Sequence, residues 1–320
     1  MLELRKAAIL GATGPTGKHL ARELSARGVA VRAVSRSAAH LDRAFGADGP
    51  VVERVATDAL DAAATVRAVE GCDVVFDCIG LPMARIADHP PTARNVAAAV
   101  ARTGARAVHV SSYWAYVPIR RTPLTEDHPR AGGGLPVRMR REAEDILLGA
   151  GAAVVNLPDF YGPEVHTSTL QNALAEAAAG RTVNWLGAPD TPREYVYVPD
   201  AMRAIADLAA REQAYGERWI VAGAGPIPLT RVVELAERHL GRPVRVRSAG
   251  PLTVRVLGLF NRQLRELMPL VPTYVRPIAY DGAKLRGLIG EIPTTPYEAG
   301  IPRTLDWLAE RGTGSGPAAS

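Results

Sequence analysis

The sequence predicts an α/β protein in which helices cover both faces of a parallel sheet, a doubly wound arrangement. Apolar segments of strand length alternate with alanine-rich amphipathic segments through the first half of the chain, and this alternation is typical of βαβ units. A glycine-punctuated turn joins the first strand to the first helix. The 320 residues, 47% of them apolar, suffice for one large α/β domain with a smaller C-terminal lobe.

Strands and helices follow one another regularly in the first half of the chain. The predicted strands are Ala7–Leu10, Ala30–Val34, Val51–Ala56, Val74–Cys78, Ala107–Ser111 and Ala152–Leu157. The predicted helices are Lys18–Ala26, Ala38–Phe45, Asp61–Val69, Thr92–Thr103 and Arg140–Leu148. Because helices link consecutive strands, we expect the sheet to be parallel and buried on both faces.

The pattern changes after Pro158. The predicted elements there are strands at Val183–Trp185, Glu194–Val198 and Trp219–Ala222, and helices at Thr169–Ala179, Ala201–Arg211 and Leu229–Leu240. The predicted units are a first domain at 1–158 with returning strands near 194–222 and 276–290, a smaller lobe at 159–193 and 223–275, and a tail at 311–320. The tail is rich in Gly and Ser and is expected to be flexible.

The turn Gly11–Gly17, between the first strand and the first helix, carries the strongest functional signal. In such a turn the first glycine permits a tight bend, the second lets the backbone approach phosphates, and the third lets the helix pack on the strand. The helix N-terminus then points its N–H groups at an anion. The turn therefore predicts a Rossmann-like dinucleotide-binding domain. The predicted pyrophosphate contacts are Gly11, Thr13, Gly14, Pro15, Thr16 and Gly17.

The end of the second strand indicates which dinucleotide is bound. An acidic residue at this point binds the ribose hydroxyls of NAD, whereas an arginine suits the additional phosphate of NADP. Here the strand ends in Ser35-Arg36 without a carboxylate, so we expect NADP(H), with NAD as the alternative. Asp58, after the third strand, is expected to meet the adenine amino group. Further cofactor contacts are expected from Ser35, Ala59, Cys78, Ile79, Gly80, Asn95 and Ser111.

Charge and cysteine content narrow the possible partners. The net charge of +5 and pI near 9.4 come from scattered arginines, which fit a small anionic ligand better than a nucleic-acid groove. Cys72 and Cys78 indicate buried thiols in a reducing compartment. No signal peptide, membrane span of about 20 residues or metal-ligand spacing is evident. We expect a cytoplasmic protein with a small-molecule substrate, binding no nucleic acid, membrane or metal.

Six segments occur in a characteristic order along nearly the whole chain. They are Gly11–Gly17, Asp58, Val110–Tyr116, Asp159–Pro163, Arg193–Asp200 and Gly300–Leu308. In this order they resemble the short-chain dehydrogenase/reductase superfamily, and more narrowly its extended, epimerase/dehydratase-like branch. The resemblance implies a homodimer formed through the helices Thr92–Thr103 and Arg140–Leu148.

The resemblance also implies a catalytic serine, tyrosine and lysine, of which the chain keeps only the serine. Ser112 takes the serine position, where a hydroxyl steadies the reacting oxygen. Within 132–147, Pro136 stands where the tyrosine belongs, and Arg140 takes the lysine position, with Arg141 as a near alternative. Proline exchanges no proton, and arginine stays protonated, so Arg140 is suited to bind ribose hydroxyls or a substrate anion.

Three interpretations of the missing tyrosine follow. In the first, another group replaces it as the proton donor: Asp159 would face the substrate, and desolvation would raise its pKa. The other candidates are Tyr113, Tyr116, Tyr161 and His166. Alternatively, the substrate accepts a hydride without a protein acid. In the third interpretation, the cofactor is bound without turnover.

Substrate contacts are expected from Tyr113, Tyr161, His166 and Arg193. Arg193 matches the position at which sugar-nucleotide enzymes of the resembled branch contact a diphosphate. The carboxylate of Asp159 argues against such a substrate, because it would repel the diphosphate. The apolar, arginine-studded segment Val254–Pro272 is expected to form either lobe core or the wall of a pocket for an apolar or carboxylated metabolite.

The sequence thus predicts an atypical extended short-chain dehydrogenase/reductase-like oxidoreductase that uses NADP(H) on a small metabolite. Its predicted catalytic residues are Ser112, Arg140 and Asp159, and the usual tyrosine proton donor is missing. One alternative is an epimerase, isomerase or dehydratase that returns the hydride to its substrate. The other is an NADP-binding sensor or scaffold without catalysis.

Overall fold

The computed structural model of the chain describes residues 1–46, 50–250 and 270–312. Its strands are β1 (Lys6–Leu10), β2 (Ala30–Ser35), β3 (Val52–Ala56), β4 (Val74–Asp77), β5 (Arg106–Ser112), β6 (Ala153–Leu157), β7 (Asp159–Tyr161), β8 (Val183–Leu186), β9 (Arg193–Tyr197), β10 (Arg218–Ile220), β11 (Pro226–Ile227) and β12 (Val246–Ala249). Its helices are α1 (Pro15–Ala26), α2 (Ala38–Ala44), α3 (Ala62–Val69), α4 (His89–Thr103), α5 (Leu135–Gly149), α6 (Thr169–Ala178), α7 (Val198–Ala209), α8 (Leu229–Leu240), α9 (Val271–Tyr274), α10 (Ala283–Ile289) and α11 (Tyr297–Gly312). Short 3₁₀ helices lie at Met83–Asp88, Tyr113–Tyr116 and Glu212–Ala214.

Seven strands form one parallel sheet in the order β10-β6-β5-β4-β1-β2-β3. The chain builds outward from β1 to β3, then returns to β4 beside β1 and builds in the other direction. This reversal leaves a crevice at the carboxyl ends of β1 and β4, where doubly wound proteins bind ligands. The predicted doubly wound α/β class is therefore confirmed.

Both faces of this sheet are buried because neighbouring side chains along a strand point to opposite sides. Ile9 packs on the face covered by α1 and α7, with Leu20 and Ile205. Leu10 packs on the opposite face, covered by α3, α4 and α5, with Val96. Strands β4 and β6 are buried at every position, as expected for strands enclosed between two helical layers.

A smaller lobe follows the large sheet in the chain. It contains a three-stranded sheet in the order β11-β9-β7 and a parallel pair, β8 and β12. Its core joins α6, α8 and α11 through Leu174, Leu235 and Ile301. This lobe lies next to the carboxyl end of β6, because β7 starts two residues after that strand ends.

The later part of the predicted first domain needs correction. Of the strands predicted to return to the large sheet, β10 does so, whereas β9 pairs with β7 and β11 in the smaller sheet. Residues 283–289, predicted within a strand region, form α10 instead. Leu285 and Ile289 are one helical turn apart and both pack on the core of the large sheet, so a helical period fits this segment.

Four helices begin three to five residues before their predicted starts, and each has a proline in its first turn: α1, α4, α5 and α7. A proline there costs no hydrogen bond, since the first N–H groups of a helix have no partner inside it. Pro136, at the predicted tyrosine position, is thus part of the first turn of α5.

The predicted wall at Val254–Pro272 falls mainly on residues 251–269, which lie outside the described residues, as do 313–320 of the predicted tail. Leu270 and Val271 are described, and both are buried. In the part of the chain that the structure describes, no helix is long and apolar enough to cross a membrane.

Candidate active site

A cavity of about 680 Å³ opens at the carboxyl ends of the strands of the large sheet. The predicted site residues that line it are Gly11, Thr13, Gly14, Pro15, Thr16, Ser35, Arg36, Asp58, Ala59, Cys78, Ile79, Gly80, Ser111, Ser112, Tyr113, Arg140, Asp159 and His166. The predicted site residues outside its lining are Gly17, Asn95, Tyr161 and Arg193. Within the described residues, no group of His, Cys, Asp and Glu side chains is arranged to hold a metal ion.

The three glycines of the turn after β1 have different surroundings. At Gly11, where φ is +76°, a Cβ atom would lie 2.7 Å from the carbonyl oxygen of Cys78. At Gly17, a Cβ atom would lie 2.6 Å from Cα of Ala12. Both positions therefore require glycine for the packing of the turn itself. A Cβ atom on Gly14 would approach only the Gly11 carbonyl oxygen, at 3.4 Å, so the space beside Gly14 belongs to the cavity.

Helix α1 presents its N-terminus to this space. It begins at Pro15, with Gly14 as N-cap, and no side chain caps it. The N–H groups of the first turn of a helix have no partner inside the helix, and they carry the positive end of its dipole. The turn therefore fits the pyrophosphate of a dinucleotide.

Arg36 directly follows β2, whose end lies next to the glycine turn. Its side chain is exposed and lines the cavity, and within the described residues it makes no ion pair. The hydroxyls of Thr13 and Ser35 lie 3.2 Å apart and tie the turn to the end of β2. A free guanidinium at this point fits an additional phosphate on the adenosine ribose.

Asp58 and Asn95 shape the loop after β3. The Asp58 carboxylate accepts a hydrogen bond of 3.1 Å from the Leu60 N–H group, so it stabilises its own turn while lining the cavity. Asn95, in α4, donates from Nδ2 to the Ala59 carbonyl oxygen at 2.8 Å. Because Asn95 does not line the cavity, its contact holds Ala59 in the wall.

Cys78 follows β4 and faces the glycine turn. It is buried and lines the cavity. Burial, together with the nearby charge of Asp77, raises the pKa of its thiol. The thiol therefore stays protonated at neutral pH, and its packing rather than its nucleophilicity is relevant to the site.

Ser112 and Tyr113 stand where β5 ends and a 3₁₀ helix begins. The Ser112 Oγ accepts a hydrogen bond of 3.3 Å from the Trp114 N–H group. Its own hydrogen is left to donate to a ligand oxygen, since a hydroxyl both accepts and donates. Tyr113 is only 2% exposed, and its ring meets that of Tyr280 edge to face, with centroids 5.9 Å apart.

Arg140 lines the cavity from α5. Its guanidinium carbon lies 5.1 Å from the centroid of the Trp114 ring. Burial lowers the pKa of the guanidinium, and the charge of Glu144 opposes this shift, but an arginine stays charged in proteins. Trp114 and Arg85 also line the cavity, and the sequence prediction assigned neither to the site. Trp114 could have been predicted as a site residue, because it lies only two residues after Ser112.

Ser111 lines the cavity but directs its hydroxyl into the protein. Its Oγ donates to Oε1 of the fully buried Glu144 at 2.6 Å. Asn156 donates to the same oxygen at 2.6 Å, and Arg130 donates to Oε2 at 2.7 Å. The hydroxyl of Ser111 thus belongs to a buried polar network that supports the cavity wall.

Asp159 is half-buried at the start of β7. Its Oδ2 atom accepts hydrogen bonds from both the N–H group, at 3.0 Å, and the hydroxyl of Thr169, at the start of α6. Burial raises the pKa of the carboxyl, and the bonds from Thr169 and the charge of Arg193 oppose this. Asp159 therefore links the cavity wall to the smaller lobe.

Tyr161 and Arg193, predicted to contact substrate, pack away from the cavity. The Tyr161 ring stacks on that of Tyr297, 5.8 Å away, beneath α11. Arg193 is 1% exposed and donates from Nη1 to the carbonyl oxygen of Thr273. Its guanidinium carbon lies 5.3 Å from the centroid of the Tyr274 ring, so Arg193 holds α9 against β9.

His166 lies in a loop held on α1 by Glu164. Glu164 accepts hydrogen bonds of 2.7 and 2.9 Å from the guanidinium of Arg22. Burial opposes ionisation of Glu164, but Arg22 and the charge of Lys18 outweigh it, so the pKa of Glu164 is lowered. Burial and the charge of Arg311 lower the pKa of His166, and its imidazole is therefore neutral at pH 7.

Comparisons with known proteins agree with a dinucleotide-binding site in this part of the chain. A family model described as NAD(P)H-binding matches residues 11–151, which contain the glycine turn, Arg36 and Ser112. The chain is 26% identical to dTDP-glucose 4,6-dehydratase of Xanthomonas campestris pv. campestris over 64% of its own length and 58% of that protein's. It is 25% identical to sterol demethylase protein B of Methylococcus capsulatus over 95% of its own length and 98% of that protein's.

Among solved structures, the chain is similar to UDP-glucuronic acid 4-epimerase from Bacillus cereus, determined in complex with NAD. The TM-score is 0.78 at 14% identity, and the match covers 96% of this chain and 99% of the epimerase. At this identity the likeness shows the fold. Residues 11–151 thus match the NAD(P)H-binding family model, and the chain as a whole shares the fold of this NAD-bound epimerase.

Proposed function

We propose that the protein is an NADP(H)-dependent oxidoreductase that interconverts a carbonyl and an alcohol on a small, largely apolar metabolite. One observation carries the proposal: a single cavity joins the glycine turn and Arg36 at one end to Ser112, Tyr113 and Asp159 at the other. A dinucleotide bound along the carboxyl ends of the strands would extend between these two groups of residues.

The residues present fit the cofactor. The turn at Gly14 and the N-terminus of α1 would hold the pyrophosphate, Arg36 the ribose phosphate, and Arg140 the second ribose. When bound, the nicotinamide supplies or removes a hydride. The protein's own part is to orient the substrate and to move a proton, and Ser112 is placed to donate a hydrogen bond to the substrate oxygen.

Two features favour an apolar substrate over a nucleotide sugar. Arg193, at the position expected to meet a diphosphate, is bound to the Thr273 carbonyl oxygen and lies outside the cavity lining. The cavity wall near Ser112 contains the large apolar side chains Trp114, Leu157 and Phe160. The match to sterol demethylase protein B over nearly the whole chain supports the same class of substrate.

The proposal is tested by binding and turnover. Calorimetric titration of the purified protein is expected to show binding of NADPH. A set of apolar ketones (cyclohexanone, decalone and cholestanone) is then mixed with enzyme and NADPH, and the absorbance of the reduced nicotinamide is followed. Its disappearance with at least one ketone supports the proposal, whereas failure to bind either NADPH or NADH contradicts it.

A second candidate is a non-redox epimerase or dehydratase that returns the hydride to its substrate. The fold shared with an NAD-bound epimerase and the match to a dTDP-glucose dehydratase favour it. Such an enzyme would convert its substrate with catalytic dinucleotide and without net change in nicotinamide absorbance. Net oxidation of NADPH in proportion to ketone therefore separates the two candidates.

Replacing Arg36 with alanine is expected to weaken NADPH binding by about 10- to 100-fold, because a charged hydrogen bond to phosphate is lost. NADH affinity should stay within about twofold, since NADH lacks that phosphate. Arg43→Ala, which removes an exposed arginine of α2 outside the cavity lining, is the control. Both affinities are measured by calorimetry. Equal losses for the two dinucleotides would contradict the assigned role of Arg36.

A further inference from the structure

Tyr113 occupies an unusual position in the cavity wall. It directly follows Ser112, lines the cavity, and is 2% exposed. It begins the 3₁₀ helix, and its ring packs edge to face against the ring of Tyr280. Its backbone is set by the end of β5, the same strand that positions Ser112.

The hydroxyl of Tyr113 is buried and has no hydrogen-bond partner among the described residues. Trp114 and Tyr274 approach it closely enough to lower its pKa as hydrogen-bonding neighbours, but neither pair of atoms meets the distance and angle of a formed hydrogen bond. A buried hydroxyl without a hydrogen-bond partner is destabilising, so a polar partner is expected. Because the residue lines the cavity, we expect that partner to be a ligand oxygen.

The other candidate acids are less suited to give up a proton to a ligand. Asp159 uses Oδ2 to bind Thr169, and His166 is neutral at pH 7 because its pKa is lowered. Tyr116 and Tyr161 lie outside the cavity lining. Among the residues predicted as proton donors, Tyr113 therefore combines burial, a hydroxyl that forms no hydrogen bond among the described residues, and a place in the wall.

We propose that Tyr113 is the catalytic residue that exchanges the proton with the substrate oxygen, in place of the tyrosine missing at Pro136. The inference rests on the proposed function, whose hydride goes to the carbonyl carbon. In reduction, the O–H bond of Tyr113 breaks and a new O–H bond forms on the carbonyl oxygen, using the π electron pair of the C=O bond. The products are the alcohol, the oxidised dinucleotide and a Tyr113 phenolate, which regains its proton from water.

The surroundings of Tyr113 suit both of its protonation states. Burial raises its pKa, so the phenol is the resting form at neutral pH and can act as an acid. The positive charge of Arg193 lowers the pKa and opposes burial, which stabilises the phenolate once the proton has left. Asp159 disfavours the phenolate electrostatically, and among the described residues Tyr274 and Tyr280 also act on it. Arg193 is thus a positioning residue. Its positive charge would act on Tyr113 as the lysine acts on the catalytic tyrosine in the family that the sequence resembles.

The test compares Tyr113→Phe with Tyr116→Phe in the full-length protein. Tyr116 lies in the same 3₁₀ helix, but its hydroxyl is 3.5 Å from Asn156 Oδ1 and it does not line the cavity. With the ketone that the wild type reduces fastest, Tyr113→Phe is expected to lower kcat by about 10²- to 10⁴-fold. Tyr116→Phe should keep kcat within about threefold, and all three proteins should bind NADPH equally.

A readout other than turnover uses an unreactive carbonyl, cyclohexanecarboxamide, as the probe. Its affinity for the protein–NADPH complex is measured by calorimetry, and the stretching frequency of its bound carbonyl by infrared spectroscopy. Loss of the tyrosine hydrogen bond should weaken binding by about 3- to 10-fold and move the carbonyl band to higher frequency in Tyr113→Phe alone.

The outcomes separate this inference from the proposed function. If the wild type neither binds NADPH nor reduces a ketone, the proposed function fails and this inference with it. If the wild type is active but Tyr113→Phe keeps its kcat and its carbonyl band, only the role of Tyr113 is overturned. The role is also overturned if Asp159→Asn, rather than Tyr113→Phe, abolishes turnover with NADPH binding intact.

Discussion

Replacing Gly14 with alanine is expected to lower NADPH affinity by about 100-fold in a protein that still folds. A Cβ atom at this position would meet only the Gly11 carbonyl oxygen, at 3.4 Å, so the protein itself accepts the added methyl group. That methyl group would instead occupy the cavity beside the first turn of α1, where phosphate oxygens would accept hydrogen bonds from backbone N–H groups. Losing charged hydrogen bonds of this kind accounts for the magnitude.

Gly17→Ala should behave in the opposite way. Its Cβ atom would lie 2.6 Å from both Ala12 Cα and the Gly11 carbonyl oxygen. These are backbone atoms of the turn itself and cannot move aside without shifting α1 from the sheet. We therefore expect a destabilisation of about 3 kcal/mol or more, visible as a lower midpoint of thermal unfolding even without any ligand.

Calorimetry for NADPH and circular dichroism for folding distinguish the two glycine variants. Gly149→Ala is the matched control, because a Cβ atom at Gly149 meets nothing within 4 Å; it should leave both measurements near the wild-type values. Wild-type affinity in Gly14→Ala would show that the dinucleotide does not approach this turn, and the proposed function would lose its main support.

The sequence predicts those features of the structure that depend on interactions between residues close together in the chain. The glycine turn was predicted because its demands are local: a tight bend, a strand before it and a helix after it. The helix starts at Pro15 and Leu135 lie three and five residues before the predicted ones, because the predicted helices begin after Pro15 and Pro136, which belong to the first turns.

The sequence does not predict in which direction individual polar side chains point. Arg193 lies in a motif that predicts a substrate contact, yet its guanidinium binds the carbonyl oxygen of Thr273, 80 residues later in the chain. Ser111 lies beside Ser112, yet alternation along β5 turns its hydroxyl toward Glu144 in α5. In both cases a partner distant in sequence decides where the polar atoms go.

Glu144→Ala is expected to destabilise the protein by about 3–5 kcal/mol, the range for breaking a buried ion pair by removing one partner. Glu144 is fully buried, and its carboxylate accepts hydrogen bonds from Ser111, Asn156 and Arg130. Alanine would leave the Ser111 hydroxyl and the Asn156 amide without this acceptor between the sheet and α5. The Arg130 guanidinium would keep only its hydrogen bond to Asp145. A cavity the size of the lost side chain adds to the cost.

The loss of stability in Glu144→Ala should depend on the burial of the carboxylate rather than on its charge alone. A second glutamate of α5, which is more exposed, tests this dependence. Glu142, two residues before Glu144, pairs with Arg94 at 2.6 Å, but 43% of its side chain is exposed, so Glu142→Ala should cost no more than about 1 kcal/mol. Urea unfolding followed by circular dichroism measures both variants. Glu144→Gln should fall between them, because the amide oxygen still accepts a hydrogen bond while the ion pair with Arg130 is lost. Equal stability of the two alanine variants would mean that the network around Glu144 contributes no more than a surface ion pair.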